Sequence, residues 1–336
     1  MPGEEVFRLP LGNLGRLKRH VHEQTLDLIN RVSFGRLFAQ IGKEALGWLL
    51  IDEAGQATPQ NAVGALWRSQ RAVIVGDPLQ LEPVTTLPFT ADQALRIHHG
   101  VDEQWLASRT SVQQLADRLN PLGTELPAAE GKIWVGSPLT VHRRCDQPMF
   151  GIANNIAYDG LMINGTSPQR AADFLERYPP SRLPETKWID IVSAESEGHW
   201  IPAEGEQLDV ILRTLSRLEF DMAEVMVIGP FRDIARRLAQ RAQTYPGLVA
   251  GTIHTAQGKQ ADIVILVLGS DPQREGARRW AASKPNLLNV AVSRAKRRLY
   301  VLGDRTAWAD KQHFRVLAGN VPHSPPRTPP RADGLA

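Results

Sequence analysis

Cysteine is almost missing: Cys145 stands alone in 336 residues, so neither an intrachain disulfide nor a thiolate metal cluster can form. That scarcity suits a reducing compartment. Long apolar runs are scarce too. The longest, Ile263 to Leu268, falls far short of the roughly 20 residues that span a bilayer. The opening residues, MPGEEVFRLP, place acidic side chains early and contain no apolar signal core. These absences lead to the expectation of a cytoplasmic protein with no membrane partner. An overall charge of one sign is lacking as well, the formal net charge being +3. Its distribution is uneven, with eleven Lys/Arg against four Asp/Glu between Asp271 and Arg315. Such a stretch can follow a phosphate backbone or form a solvated basic face, and composition alone does not separate the two.

What is present is ordinary for a soluble globular chain, 42% hydrophobic and 22% charged, and its length suggests two lobes. Short, continuously apolar runs end in polar or glycine-containing turns: 47–51 before Asp52-Glu53, 72–75 before Gly76-Asp77-Pro78, then 188–192, 225–228, 263–268 and 299–302. Runs of this kind suit strands buried on both faces of a parallel sheet. Between them, Leu208, Ile211, Leu212, Leu215 and Leu218 recur at helical spacing, as do Ile234 with Leu238 and Val112 with Leu115 and Leu119. Alternating strands and helices predict an α/β fold with parallel sheets. A boundary near 142–147 is expected, giving lobes 1–142 and 143–318. The proline-rich, apolar-poor segment 319–336 is expected to be a disordered tail.

The candidate chemistry lies at strand ends, where open α/β sheets bind ligands. Asp52 and Glu53 follow the first strand signal. There an acidic residue can hold a divalent cation and its neighbour can orient or deprotonate a water. Alone, such a pair can equally be a loop or helix cap. The second strand signal ends in Gly76-Asp77-Pro78-Leu79-Gln80-Leu81-Glu82-Pro83, which read alone is a turn. Thr252-Ile253-His254-Thr255-Ala256-Gln257-Gly258-Lys259-Gln260 leads toward the apolar run at Ile263, and Asn289 to Lys296 precedes the run at Leu299. Arg294, Arg297 and Arg298 are expected on one short helix. Arg294 is embedded among small and apolar residues and so needs an anionic partner such as a phosphate; Arg298 is expected to face solvent.

These four segments resemble motifs II, III, V and VI of superfamily 1 helicases, in order. The similarity is to the branch of the nonsense-mediated-decay RNA helicases and related DNA repair helicases. His142-Arg143-Arg144-Cys145 resembles that branch's tyrosine-arginine-methionine segment, and Val225 to Phe231 resembles its motif IV strand. The matches run from about residue 47 to 304. The resemblance implies two RecA-like lobes closing on ATP and Mg²⁺ while holding single-stranded DNA or RNA, and movement from 5′ to 3′. It implies that Asp52 binds Mg²⁺, that Glu53 activates water and that Gln80 contacts the γ-phosphate. Arg144 and Arg294 would reach across an inter-lobe cleft as arginine fingers. Gly76, Asp77, Gly258 and Gln260 would border the nucleotide. Thr252, His254 and Gln257 would couple its state to the strand.

The chain departs from that pattern at four positions. Gln260 replaces a glutamate that helps to seat the nucleotide, Arg143 a tyrosine, Ala256 an aromatic residue and His254 an aspartate. A larger departure is the phosphate loop, G-x-x-x-x-G-K-[ST], whose amides, lysine and hydroxyl surround the phosphates. Gly42-Lys43, Gly131-Lys132 and Gly258-Lys259 continue with Glu44, Ile133 and Gln260, so none of them qualifies. With fifty-one residues ahead of Asp52, the first lobe is expected to be incomplete, lacking the phosphate-loop strand. Three readings follow: an N-terminally truncated helicase inert alone, one subunit of a split helicase whose N-terminal polypeptide is separate, or a non-catalytic nucleic-acid-binding or regulatory module.

Overall fold

A computed structural model describes residues 7–10, 42–85, 87–106, 108–128, 131–256 and 258–326. The chain divides into two compact units, residues 1–125 with 133–138, and residues 126–132 with 139–336. Among the described residues no helix is long and apolar enough to cross a membrane.

In the first unit, β1 (Phe7–Pro10), β2 (Leu46–Asp52) and, after helix α1 (Pro59–Arg68), β3 (Ser69–Ile74) form a parallel sheet in the order β1-β2-β3. Pro59 sits in the first turn of α1, where a missing N–H costs nothing. The core is small: Leu49, Ile51, Ala54, Ala57, Ala62, Ala65 and Val112. Leu49 and Ile51 share the inward face of β2, while Trp48 and Val73 are exposed. The expected burial on both faces therefore does not hold for β2 and β3: the end of β2 alternates as in a half-covered sheet, and Gln70 to Val73 of β3 are all exposed. Helix α2 (Phe89–His99) and helix α3 (Val112–Leu119) follow, the latter opened by a capping box between Ser111 and Gln114. A two-stranded ribbon of β4 (Gly123–Ala128) and β5 (Gly131–Gly136) comes next, its residues 126–128 and 131–132 being grouped with the second unit.

The second unit begins with β6 (Val141–His142), helix α4 (Met149–Ala157), β7 (Ile163–Asn164), which pairs with β6, and helix α5 (Pro168–Arg177). Its main sheet takes β8 (Lys187–Asp190), helix α6 (Pro202–Arg217), β9 (Val225–Gly229), helix α7 (Arg232–Ala242), β10 (Val249–Thr252) and β11 (Ala261–Val267). Helix α8 (Glu275–Ala282), helix α9 (Pro285–Ser293), β12 (Ala295–Gly303), helix α10 (Arg305–Ala309) and helix α11 (Gln312–Asn320) complete it. The strand order is β10-β9-β11-β12-β8, all parallel. Here the continuous apolar runs are buried throughout: every residue from Ile263 to Leu268 is 0% exposed. Leu208, Leu212 and Leu215 of α6 are equally covered, each contributing about 1.5–3 kcal/mol by leaving water.

Two expectations change. Arg297 and Arg298 lie in β12, not on a helix, because the helix ends at Ser293 and Arg294 is its C-cap. Arg298 is 9% exposed, its guanidinium lying over the Phe174 ring, so it is no solvent-facing charge. Of the segment expected as a disordered tail, Val321 is buried and His323 bridges to Trp188 of β8. Its backbone satisfies the open edge of the sheet: Trp188 N–H donates to Pro322 O at 2.7 Å and Ser324 N–H to Trp188 O at 2.9 Å.

Candidate functional site

At the carboxyl ends of β2 and β3 two turns are pressed together. Val75 N–H donates to Ile51 O at 2.8 Å and Ala54 N–H to Val75 O at 2.9 Å. A Cβ on Gly55 would stand 2.7 Å from Asp77 O, so glycine is required there by the close approach of backbone. Between these contacts Glu53 adopts a left-handed backbone, φ 57° and ψ 35°, which is uncommon for a residue with a Cβ. Its side chain accepts from Gln56 Nε2 at 3.2 Å, and its amide donates to Asp52 Oδ1 at 3.0 Å. In the following turn Asp77 accepts from Leu79 N at 2.9 Å and from Gln80 Nε2 at 3.0 Å. Buried Leu79 and Leu81 anchor that turn. Asp52, Glu53, Gly76, Asp77 and Gln80 thus share one edge of the first sheet.

Behind this edge lies a pair absent from the sequence analysis. Gln113 Nε2 donates to Asp117 Oδ1 at 2.9 Å, and Gly136 N–H to the same oxygen at 3.1 Å. Both side chains are buried. Burial raises the Asp117 carboxyl above its usual range, against the Gln113 and Gly136 hydrogen bonds and with help from Asp77. Gln113 Oε1 would stand 3.0 Å from a Cβ on Gly76, so α3 backs the second turn directly. The four-residue spacing on one helix was the available signal, but Gln and Asp at that spacing are common on solvated faces.

The second unit gathers the other candidates. His142 Nε2 accepts from Cys145 N–H at 3.1 Å and lies 3.0 Å from its Sγ. Burial first, then Arg144 and Arg294, push the His142 imidazole down to about 4, so both guanidiniums act on one ring. Burial also pushes the Cys145 thiol up to about 12, which makes it inert. Arg144 is exposed, whereas Arg294 is 1% exposed. Arg294 donates from Nε to Val290 O at 3.3 Å and from Nη1 to Lys259 O at 3.2 Å, so carbonyls are among the partners of this buried charge. The segments bearing the two arginines are laced together: Asp146 N–H donates to Lys296 O at 2.9 Å, and Arg297 Nη1 meets Asp146 Oδ2 at 2.6 Å. No local pattern announces a pair 151 residues apart in sequence.

Thr252 closes β10, and its Oγ1 and carbonyl hold Thr255, turning the chain into a short 3₁₀ segment. His254 is at the surface of that segment, its imidazole held below the usual range by surrounding atoms and by Arg232. Gly258 has φ 73°, Gln260 is exposed, and Gln257 lies outside the described residues.

A family model described as an AAA domain matches residues 130–306, more than half of the chain, and a second AAA-domain model matches residues 32–87. A probable helicase of Dictyostelium discoideum is 22% identical over 80% of this chain and 26% of its own length. The regulator of nonsense transcripts 1 homolog of Arabidopsis thaliana is 23% identical over 87% of this chain and 22% of its own. The DNA replication ATP-dependent helicase/nuclease of Gallus gallus is 23% identical over 76% of this chain and 22% of its own. The chain therefore spans about a quarter of the length of these relatives. By these matches the chain belongs to the AAA-domain helicases of superfamily 1.

Proposed function

We propose that this chain carries the water-activating, charge-neutralising and strand-coupling residues of an ATP-dependent helicase motor acting on single-stranded DNA or RNA in the cytoplasm. The observation that carries the reading is Glu53, held in a left-handed backbone at the end of β2 beside Asp52. Unusual backbone geometry in a residue with a side chain is retained where the surroundings impose it, and such residues cluster at working sites. Asp52 supplies a hard oxygen ligand at a strand's carboxyl end, as Mg²⁺ takes when its remaining ligands are phosphates and water. Bound there, Mg²⁺ would neutralise phosphate charge. In this reading Glu53 orients the attacking water and Gln80, fixed by Asp77, meets the γ-phosphate. Arg144 and Arg294 neutralise charge on the transferring group. Gly76 and Gly258 let backbone approach the nucleotide, and Gln260 offers it a neutral amide. Thr252, His254 and Gln257 couple the nucleotide's state to the strand.

Because the 336 residues contain no phosphate loop, the chain by itself is inert toward ATP. A phosphate-loop segment, joined to it or on a separate polypeptide, completes the motor. The test measures ATP turnover with a single strand present, for the chain alone and for the chain joined to a phosphate-loop lobe. Background turnover alone and hydrolysis when joined, abolished by Glu53→Gln, support the reading. Joined protein that still hydrolyses nothing favours the non-catalytic module, and turnover by the chain alone that Glu53→Gln abolishes shows that another segment replaces the loop.

A further inference from the structure

Three rings from three separate segments meet at the carboxyl ends of β9 and β11. His199, just ahead of α6, stacks on Phe231 with centroids 4.2 Å apart and planes 24° from parallel. Phe231 in turn meets Trp280 of α8, with centroids 6.4 Å apart. The innermost ring is covered, Phe231 being 7% exposed, whereas Trp280 is 56% exposed. An indole recruited only to fill a core would be covered as well.

The framework beneath these rings is tied together by hydrogen bonds. Ser270 N–H donates to His199 O at 2.9 Å and Asp271 N–H to His199 Nδ1 at 3.4 Å. Gly269 N–H donates to the buried Glu204 at 2.8 Å. Ser270 itself is in the left-handed region, φ 91°, so the loop from β11 is held in an unusual shape. Arg278, 8% exposed, ties α8 to that loop through Ser270 Oγ at 3.1 Å and Asp271 O at 2.9 Å. Two residues on, Trp280 points the other way.

Exposed arginines lie on the segments that bear these rings, interspersed with the carboxylates of Glu197, Asp233, Asp271 and Glu275. Arg232 follows Phe231 and is exposed. The Arg274 and Arg279 side chains are 67% and 76% exposed, in surface pairs with Asp271 and Glu275 that contribute little and exchange readily. An exposed indole with exposed guanidiniums on the same and neighbouring segments matches a ligand that alternates flat bases with phosphates. We propose that Trp280, backed by Phe231 and His199, forms a platform on which the bases of a single-stranded nucleic acid stack, with Arg232, Arg274 and Arg279 facing its phosphates. The platform rests on the motor reading above and assigns base contact to a helix outside all the recognised motifs.

Binding of fluorescent strands of about 12 nucleotides, a length in the usual range for one such groove, tests it without ATP. The strands are oligo(dA), oligo(A) and an abasic deoxyribose-phosphate oligomer, each titrated over a range of salt. Trp280→Ala should weaken binding of the base-bearing strands roughly tenfold, with Trp280→Phe retaining most of the affinity. Its salt slope should match the wild type, while Arg279→Ala should lower the slope by up to about 0.7. Wild type should lose a similar factor on the abasic strand, and Trp280→Ala should not discriminate against it. Equal affinity of wild type and Trp280→Ala, indifference of wild type to base removal, or no strand binding at all would overturn the platform. The hydrolysis test is unaffected by any of these results, so the two readings fail separately.

Discussion

A Cβ placed on Gly76 would stand 2.6 Å from the amide nitrogen of Gly55, so the turns ending β2 and β3 are interlocked through glycines that neither turn could exchange. The lock sets where Glu53 and Asp77 stand relative to each other. Gly76→Ala must push backbone aside and should destabilise the first unit by about 1–3 kcal/mol. Gly64→Ala is the comparison, since a Cβ there meets Arg68 Nη1 at an ordinary 3.5 Å inside α1. It should be neutral or stabilising by about 0.5–1 kcal/mol. Urea denaturation of both variants decides, and similar midpoints would mean that the turns yield freely.

The Asp146–Arg297 pair, with side chains 17% and 13% exposed, is the bolt between the segments bearing Arg144 and Arg294. Removing one partner leaves a largely buried charge, so Asp146→Ala or Arg297→Ala should each cost about 3 kcal/mol. The double variant should lose less than the sum of the two, because neither charge is stranded. Strict additivity in the denaturation cycle would contradict a coupled pair.

Arg294 should matter both to folding and to turnover. Its bonds to Val290 O and Lys259 O predict a stability loss of about 1.5–3 kcal/mol for Arg294→Ala. In the chain joined to a phosphate-loop lobe, the same change should lower turnover on the order of a thousand-fold, with far less effect on nucleotide affinity. Arg298 is too buried to serve as a neutral comparison, so Arg236, with its side chain 76% exposed, takes that place. If turnover survives once the variant is shown to be folded, Arg294 is structural.

Glu204 makes the second unit sensitive to pH. Burial pushes its carboxyl up to about 8 from 4.5, aided by Asp304 and opposed by the Gly269 hydrogen bond. The fold holds a proton that the unfolded chain releases, so stability declines as pH rises from about 4.5 to about 8 and is level above that. His142, His254 and His313, all held below 6.5, act in the opposite sense and only at lower pH. Denaturation between about pH 7 and 8 therefore isolates Glu204, because the buried Cys145 thiol, raised from 9.0, adds a decline of its own only nearer pH 9. Wild type should lose on the order of 1 kcal/mol across that range, and Glu204→Gln should lose none. A wild-type slope that persists in Glu204→Gln would assign it elsewhere.

The sequence by itself determined the strands and the main helices of the second unit, because apolar runs such as Ile263 to Leu268 and repeats such as Leu208, Leu212 and Leu215 are local patterns with a fixed period. It also supplied the family, since Asp52-Glu53, the Gly76 turn and the Arg294 segment are contiguous strings. Local reading misassigned Arg298, whose neighbours in sequence are charged while its neighbours in space include Phe174. It likewise missed that Val321 to Ser324 follow β8, because a sheet edge accepts any backbone with free hydrogen-bonding groups, whatever its side chains. Only the tertiary structure decided the interlock of Gly55 with Gly76, the bolt from Asp146 to Arg297, and the meeting of His199, Phe231 and Trp280. Each depends on which strand ends the sheet order brings together, and that order is set by burying whole faces at once rather than by any short string of residues.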